Sequence, residues 1–402
     1  MKIIIAIDSF KGSISSMEAG NAAKAGILKV CSAQIVVMPV ADGGEGTTEA
    51  LVEGLGGKYV TVEVTGPLGA RTCARYGILG DGRTAVMEMA QASGISLLKR
   101  EELDPLRATT YGVGEMILDA VKRGCREFII GIGGSAASEG GAGMLKALGY
   151  EINDEDGRPV GPGLKDLDRV AEISGEKVPK ELKECHFRIA CDVKNPLCGE
   201  NGAVYVYGAQ KGVREEERQL FDEKIRHFAD KMEEYLLKTA CPAGPGKADG
   251  TPAVKRAHAD YRWAEGAGAA GGLGFAFLSC LPNVELKPGI DIVLDAAGFE
   301  EEAKDADIVV TGEGRMDFQT AMGKVPAGVA RAAKKHGAKV LAFAGGVTKD
   351  AGECNTAGID AFFPIVRGVT TLEEAMAPEN AKENMALSVE QVFRMIQLFD
   401  RH

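Results

Sequence analysis

The first 55 residues repeat one pattern twice, an apolar run followed by a segment with helical spacing. Apolar runs at Lys2–Ile7 and Gln34–Val40 predict two strands, because β-branched residues dominate each run and small or charged residues end it. Helical spacing follows over Ser16–Lys29 and over Thr47–Leu55. This alternation is typical of βα units in a parallel sheet.

The same pattern returns near the C-terminus. It predicts strands at Asp307–Val310, Lys339–Ala344 and Asp360–Val366, a helix over Val325–Lys335 and a closing helix after the last strand. Five such strands, two from the start and three from the end, can share one sheet only if the middle of the chain folds separately.

The middle of the chain carries elements of its own. Apolar runs predict strands at Arg71–Leu79, Thr84–Met89, Glu127–Ile132, Phe187–Cys191 and Ala203–Tyr207. A long amphipathic helix is predicted over Arg214–Leu237, and prolines with glycines predict a surface loop over Thr239–Ala253. We therefore expect an α/β protein with one doubly wound parallel sheet from residues 1–66 and 290–402. A second α/β domain, residues 67–289, is inserted between these two segments.

Composition and charge narrow the class of protein. Apolar residues make up 45% and charged residues 26% of the 402 residues, which is typical of a folded globular protein. The net charge of −11 argues against nucleic acid or an anionic membrane as the main partner. No apolar run is long enough to span a bilayer and Met1–Phe10 does not look like a signal peptide, so we expect a cytoplasmic location. The oligomeric state stays open.

Three residue types add to this picture. The nine cysteines and five histidines lack the spacing of a disulfide framework or a zinc site. Glycine is the one strong deviation, with 53 residues, nearly twice the usual share of ~7%.

Many of these glycines stand beside unusual polar residues directly after predicted strands. In open α/β sheets ligands bind at the carboxyl ends of the strands, because loop amides and helix N-termini converge there. The polar residues in these places are Asp8, Ser9 and Lys11, then Asp42 and Glu45, then Glu313, Arg315, Asp317 and Lys324. Carboxylates beside glycine-rich turns suit metal binding or base catalysis, and lysine and arginine suit phosphate or carboxylate binding. Each residue alone could equally be a helix cap or a surface ion pair.

The middle segment has a further glycine-rich loop, residues 131–136 (GIGGSA). It follows a predicted strand and precedes a helix that begins near Ala142, so its backbone N–H groups could cradle an anion. The loop also fits the G-x-G-x-x-A dinucleotide pattern, but no acidic residue is clearly placed for the ribose.

Two more loops carry weaker signals. Residues 266–271 match G-x-G-x-x-G after a poor strand, which favours close backbone packing over nucleotide binding. Residues 192–199 present Asp192, Lys194 and Asn195 after a predicted strand. A Walker P-loop, a kinase catalytic-loop signature and a G-x-S-x-G elbow are all absent from the sequence. Any nucleotide would bind outside those three schemes.

Together these loops resemble the bacterial glycerate kinase family, whose members phosphorylate D-glycerate with ATP. The matching motifs are residues 8–13 (DSFKGS), 39–47 (PVADGGEGT), 130–135 (IGIGGS), 191–197 (CDVKNPL), 210–212 (QKG), 266–274 (GAGAAGGLG) and 311–315 (TGEGR). The resemblance implies a Rossmann-like domain made from both chain ends, a second α/β domain inserted between them, and an active site in the cleft between the two. It also implies transfer of the ATP γ-phosphoryl group to a hydroxyl of D-glycerate, with the 2-hydroxyl expected and 2-phosphoglycerate as product.

One segment departs from the family pattern. Where the family reads Thr-Asn-Asp, this chain has Ala137, Ser138 and Glu139. Glu139 keeps the charge on a longer side chain and Ala137 lacks a hydroxyl. We therefore expect substrate preference or metal geometry to change before the activity itself does.

Phosphoryl transfer depends on positioning and charge neutralisation more than on covalent chemistry, so we expect ATP and Mg²⁺ as cofactors. Asp192 is the expected general base, and Lys11 and Arg315 are expected to hold the glycerate carboxylate or the γ-phosphate. The candidates for metal or substrate contact are Asp42, Glu45 and Glu313. The remaining candidates, for substrate or phosphate binding, are Ser9, Gly133, Gly134, Ser135, Asn195 and Lys324.

Three other functions stay open. An NAD-dependent hydroxy-acid oxidoreductase would use residues 131–136 for the pyrophosphate. A non-catalytic protein that binds small acids would use the same loops without turnover. A kinase for a different small hydroxy acid would agree with the departure at residues 137–139.

Overall fold

The computed structural model describes residues 1–240 and 260–399. Residues 241–253 of the predicted loop lie outside the described residues. The chain divides into two compact units, one made of Met1–Lys58 and Pro288–His402 and the other of Tyr59–Lys287. We call them the terminal unit and the inserted unit. Within the described ranges, no helix has both the length and the apolar character needed to cross a membrane.

Strands and helices alternate along the chain. The strands are β1 (Lys2–Ile7), β2 (Gln34–Val37), β3 (Lys58–Thr65), β4 (Arg71–Ile78), β5 (Thr84–Glu88), β6 (Glu127–Gly131), β7 (Glu151–Asn153), β8 (Glu172–Ser174), β9 (His186–Ala190), β10 (Val284–Lys287), β11 (Ile308–Met316), β12 (Lys339–Val347) and β13 (Ala361–Pro364). The α-helices are α1 (Ser16–Leu28), α2 (Thr47–Gly54), α3 (Ala90–Ser93), α4 (Tyr111–Lys122), α5 (Ala142–Ala147), α6 (Ala203–Tyr207), α7 (Arg218–Ala240), α8 (Leu273–Cys280), α9 (Gly289–Ala297), α10 (Phe299–Ala303), α11 (Phe318–Ala321), α12 (Val325–Lys334), α13 (Glu353–Thr356), α14 (Leu372–Met376) and α15 (Pro378–Phe399). Short 3-10 helices lie at Ile95–Leu97, Arg100–Glu102, Leu167–Arg169, Lys180–Glu184, Ala209–Lys211, Glu215–Glu217, Tyr261–Trp263 and Ala269–Gly271.

The terminal unit contains a five-stranded parallel sheet in the order β13-β12-β11-β1-β2. Its apolar core has two parts, one with α1 and α15 and the other with α9 and α12. Helices therefore cover both faces. The predicted doubly wound parallel sheet, built from five strands at the two chain ends, is confirmed.

The central strand β1 shows why its sequence is one apolar run. Ile3 and Ile5 are buried in the cluster that contains α1 and α15, whereas Ile4 and Ala6 are buried in the cluster that contains α9 and α12. A parallel strand covered on both faces needs apolar side chains at every position.

The strand β11 is longer than predicted. Residues 311–315, expected as a loop, belong to the strand and pair with β12. Glycines permit this extension, because a Cβ at Gly312 would lie 2.0 Å from the Phe343 carbonyl oxygen and one at Gly345 would lie 2.6 Å from that of Gly314.

The inserted unit holds a six-stranded sheet in the order β10-β9-β6-β5-β4-β3 and a separate β7-β8 pair. The strands β10, β9, β6 and β5 are parallel, and β4 is antiparallel to β5. Because β3 lies beside β4, residues 59–66 group with the inserted unit, whereas the sequence placed them in the other domain. The hydrophobic pattern does not predict β3, β7, β8 or β10.

Two local predictions for the inserted unit are wrong. Ala203–Tyr207 forms the helix α6 instead of a strand. Its alternating Val and Tyr residues favour a strand, but Val204 packs into the apolar core and its carbonyl accepts the Gly208 N–H at 2.9 Å. Tertiary packing outweighs β propensity here. The long helix α7 begins at Arg218, since Glu215–Glu217 form a 3-10 turn before it.

Candidate active site

A cavity of about 520 Å³ opens at the carboxyl edge of the terminal sheet. The neighbouring strands β1 and β11 end there, and the chain continues to α1 on one face of the sheet and to α12 on the other. Such a switch point is where open α/β sheets bind ligands. The cavity is lined by the loop after β1, the ends of β11 and β12, and residues near β13 and α14.

Three carboxyl groups line this cavity, those of Asp8, Asp42 and Glu313. Burial raises the pKa of Asp8 to about 7, and the nearby charge of Asp42 adds to the effect. The Ser9 backbone N–H, which donates to Asp8 Oδ1 at 2.7 Å, acts in the opposite direction. Burial also raises the pKa of Glu313, although Thr320 Oγ1 donates a hydrogen bond to it. Crowded, buried carboxylates favour a bound proton or cation.

The loop after β2 fixes Asp42. Its Oδ1 accepts the Gly44 backbone N–H at 2.8 Å, and its Oδ2 lies 3.6 Å from Lys11 Nζ. The start of α9 packs closely on this loop, because a Cβ at Gly289 would lie 2.0 Å from the Asp42 carbonyl oxygen. Glu45, the predicted metal candidate in the same loop, is exposed and is not among the residues that line the cavity.

Three cationic side chains line the same cavity, those of Lys11, Arg315 and Lys324. The side chain of Arg315 is 73% exposed, and its Nε lies 3.9 Å from Asp317 Oδ2, which is too far for a strong ion pair. The side chain of Lys11 is 60% exposed. An anionic ligand in the cavity can therefore reach these charges from solvent. Ser9 also lines the cavity.

The inserted unit presents its own candidates at the carboxyl edge of its sheet. The loop after β6 contains Gly133 and Gly134, which are both exposed, and a Cβ at Gly133 would meet no atom within 4 Å. Gly134 has a φ of +73°, a conformation that favours glycine. Ser135 is buried instead, so its hydroxyl faces the protein interior.

A buried lysine holds the loop after β6 in place through hydrogen bonds. Lys211 Nζ donates to Ser135 Oγ and to the Ala137 carbonyl oxygen, both at 2.6 Å. Burial lowers the pKa of Lys211 to about 7. The motif QKG at residues 210–212 was noted in the sequence, but neither its burial nor its partners could be foreseen.

The loop after β9 holds Asp192, which is exposed, and Asn195, which is half-buried. Tyr207 Oη donates to Asn195 Oδ1 at 2.6 Å, and Asn195 Nδ2 donates to the Asn201 carbonyl oxygen at 2.8 Å. Both ends of the Asn195 amide therefore help to fix the loop. The roles expected for Asp192 and Asn195 stay predictions.

Glu139, the departure from the family pattern, is buried in a hydrogen-bond network. Its Oε1 accepts two hydrogen bonds from Thr110, one from the backbone N at 2.6 Å and one from Oγ1 at 2.8 Å. The same oxygen accepts from Gly143 N at 3.0 Å and from Thr109 Oγ1 at 3.2 Å. Its Oε2 accepts from Gly163 N at 3.2 Å. The carboxylate ties the start of α4 to the start of α5. Glu139 therefore has a structural role, and the expected effect of residues 137–139 on substrate preference or metal geometry stays a prediction.

The chemistry of the cavity also bears on the expected Mg²⁺. Across residues 1–240 and 260–399, no three His, Cys, Asp or Glu side chains are grouped so that they could hold a metal ion by themselves. Mg²⁺ commonly binds one or two carboxylates together with waters and substrate phosphates. The carboxylates of Asp8, Asp42 and Glu313 supply oxygen ligands of this kind, and the charges of Asp42 and Glu313 near Asp8 favour a cation beside them. These residues fit a Mg²⁺ that arrives with phosphate.

Comparison with known proteins identifies the family of this chain. Residues 3–397 match the model of the glycerate kinase family. The glycerate kinase of Bacillus subtilis is 44% identical over 99% of this chain and 98% of its own length. The glycerate 2-kinase of Escherichia coli is 43% identical over 93% of each chain. The crystal structure of a Salmonella typhimurium protein described as glycerate kinase 2 covers all of both chains with a TM-score of 0.87 and 40% identity. Since sequence and fold both match over nearly the whole length, the chain belongs to the glycerate kinase family.

Proposed function

We propose that this protein is an ATP-dependent glycerate kinase that transfers the γ-phosphoryl group of ATP to a hydroxyl of D-glycerate. The observation that carries the proposal is the cavity at the switch point of the terminal sheet, where Lys11, Arg315 and Lys324 surround a site beside buried carboxylates. Phosphoryl transfer needs this combination of cationic groups and oxygen ligands. The names of the relatives supply the substrate, glycerate.

The proposed acceptor is the 2-hydroxyl, with 2-phosphoglycerate as product. The name of the Escherichia coli relative, glycerate 2-kinase, supports this choice. In the reaction the hydroxyl oxygen forms a bond to the γ-phosphorus and the bond from that phosphorus to the bridging β–γ oxygen breaks. ADP leaves, and the hydroxyl proton passes to a base.

The residues of the terminal unit have separate tasks in this proposal. Lys11, Arg315 and Lys324 neutralise the charge of phosphate or of the glycerate carboxylate. Asp42 and Glu313, with Asp8 beside them, are the residues that would hold Mg²⁺. When bound, the ion would neutralise charge on the transferred phosphoryl group and orient it.

The inserted unit supplies two further roles. Asp192 is proposed as the base that receives the hydroxyl proton, because it is an exposed carboxylate at the carboxyl edge of the sheet. The exposed amides of Gly133 and Gly134 are proposed to bind an anionic oxygen, in a loop that Lys211 holds in place.

Turnover with D-glycerate and Mg·ATP tests the proposal directly. ADP formation is followed by a coupled assay, and phosphorus NMR identifies the product. We expect Arg315→Met to lower kcat/KM by about 100-fold or more, because a charge that faces the transition state is lost. The matched control is Arg331→Met. Arg331 is an arginine of the same unit that pairs with Asp291 and does not line the cavity.

Other results would contradict the proposal. Binding of glycerate and ATP without ADP formation would indicate a non-catalytic binding protein. Glycerate-dependent NADH absorbance without ATP would indicate an oxidoreductase. A 3-phosphoglycerate product would leave the kinase assignment intact and refute the choice of hydroxyl.

A further inference from the structure

The cavity of the terminal unit has an apolar wall that phosphoryl transfer alone does not require. It is formed by Ile365, Val366, Leu372, Ala375 and Met376. The first two residues follow β13, and the other three lie on α14. Leu372 is 76% exposed and Met376 is half-buried, so a ligand in the cavity could remove apolar surface from water at both side chains. We call these five residues the apolar wall.

The apolar wall is held in a fixed position. Thr371 caps α14, because its Oγ1 accepts the Glu374 N–H at 3.2 Å while Glu374 Oε2 accepts the Thr371 N–H at 3.3 Å. Asn380 Nδ2 donates to the Glu374 carbonyl oxygen at 2.8 Å and so ties the end of α14 to α15. The wall is therefore preformed, which lowers the entropy cost of binding a rigid ligand.

The other parts of the cavity differ sharply from this wall. Lys11, Arg315 and Lys324 supply positive charge, and Gly345 and Gly346 supply bare backbone at the end of β12. A Cβ at Gly346 would meet no atom within 4 Å, so a ligand can approach the backbone there. A ligand that complements all of these surfaces needs a rigid apolar part and a polyanionic part.

We propose that this cavity binds the nucleotide, with the adenine base against the apolar wall and the phosphates toward Lys11, Arg315 and Lys324. The inference rests on the proposed function and assigns the phosphoryl donor to the terminal unit. Glycerate alone would leave the wall uncovered, because a three-carbon hydroxy acid has almost no apolar surface. The cavity of about 520 Å³ lies within the ~300–1,000 Å³ range of small-molecule sites.

The test removes the apolar contacts without adding charge. The double variant Leu372→Ala/Met376→Ala of the full chain is compared with Met395→Ala/Leu398→Ala. Met395 and Leu398 are exposed residues of the same types on α15 that do not line the cavity. We measure the KM for ATP, the KM for D-glycerate, and the Kd values of ADP and of tripolyphosphate by calorimetry. Tripolyphosphate carries phosphates without a base.

We expect the KM for ATP and the Kd of ADP to rise about tenfold in the wall variant, as loss of several base contacts predicts. The KM for D-glycerate and the Kd of tripolyphosphate should stay within about twofold, and the control variant should match the wild type on all four measures.

Three results would overturn the inference: no change in either nucleotide measure, a rise in the KM for D-glycerate alone, or an equal loss of ADP and tripolyphosphate binding. The last result would indicate distortion of the phosphate site. Turnover separates this inference from the proposed function. A wild type that binds ADP without turning over D-glycerate would refute the function while the ADP comparison still tests the wall, and a wild type that binds no ADP would overturn the inference.

Discussion

Replacing Asp8 by Asn is expected to stabilise the protein at alkaline pH while it damages the active site. Asn has nearly the same shape and keeps an oxygen for the Ser9 N–H, which lies 2.7 Å from Asp8 Oδ1. The charge is lost. Burial, with a contribution from Asp42, raises the pKa of the Asp8 carboxyl to about 7 from an ordinary value of 3.8. The folded protein therefore carries an ionised Asp8 above pH 7 at a cost in stability.

The sign and size of that cost follow from linkage. Because the folded pKa is the higher one, the folded protein binds more protons than the unfolded chain between pH 3.8 and about 7, and stability falls as the pH rises through this window. A difference of about three pH units, at about 1.4 kcal/mol each, corresponds to about 4 kcal/mol above pH 7. The attraction of Lys11 to the ionised carboxyl is lost in the variant too. We therefore expect a gain for Asp8→Asn of up to about 4 kcal/mol at pH 8 and almost none at pH 4.

Urea unfolding followed by circular dichroism between pH 4 and pH 9 measures the effect. The control is Glu172→Gln, which removes the same charge at an exposed position and should alter the free energy of unfolding by no more than about 0.5 kcal/mol. Kinase activity of Asp8→Asn should fall sharply at every pH, because a cavity carboxylate is gone. A variant that is less stable than the wild type at pH 8, or whose gain does not depend on pH, would refute the reasoning.

Two further substitutions probe the packing around the two units' loops. Gly289→Ala would place a Cβ 2.0 Å from the Asp42 carbonyl oxygen, so we expect the free energy of unfolding to fall by about 1–3 kcal/mol and the activity to fall as well. The control is Gly352→Ala, where a Cβ would meet nothing within 4 Å, and we expect it to change neither the stability nor the activity. Equal urea midpoints for the two variants would contradict this. Glu139→Gln weakens a buried network of five hydrogen bonds, so thermal denaturation should show a loss of about 2–4 kcal/mol while the KM for D-glycerate stays within about twofold. A large change in that KM at unchanged stability would instead return Glu139 to the substrate site.

Local sequence patterns predict the parts of the fold whose determining interactions are local. The apolar runs of the terminal sheet were recognised because parallel strands buried on both faces need apolar residues at every position, as β1 shows with Ile3, Ile4 and Ile5. The segment at residues 203–207 is the counterexample. Its alternation indicated a strand, but contact with the core of the inserted unit made it a helix.

The candidate site was predicted in part for the same reason. Polar residues after strands could be found from local pattern, and seven of them line the cavity, namely Asp8, Ser9, Lys11, Asp42, Glu313, Arg315 and Lys324. Their roles in catalysis stay predictions. Asp8 was noticed but received no role, because its raised pKa depends on burial and on Asp42 in another loop. Lys211 received none, because its bond to Ser135 joins residues 76 positions apart.

The order of amino acids was thus enough to establish an α/β protein, two chain ends that share a parallel sheet, and membership of the family whose loop motifs it carries. Only the folded chain decided which side chains are buried, which carboxylates crowd together and which apolar surface borders the cavity. The physical reason is the separation along the chain between the residues that determine each property. Strand and helix periodicity is set by neighbours a few residues apart, whereas burial, pKa and cavity shape depend on groups that meet only after the β1 and β11 segments, some 300 residues apart, pair in one sheet.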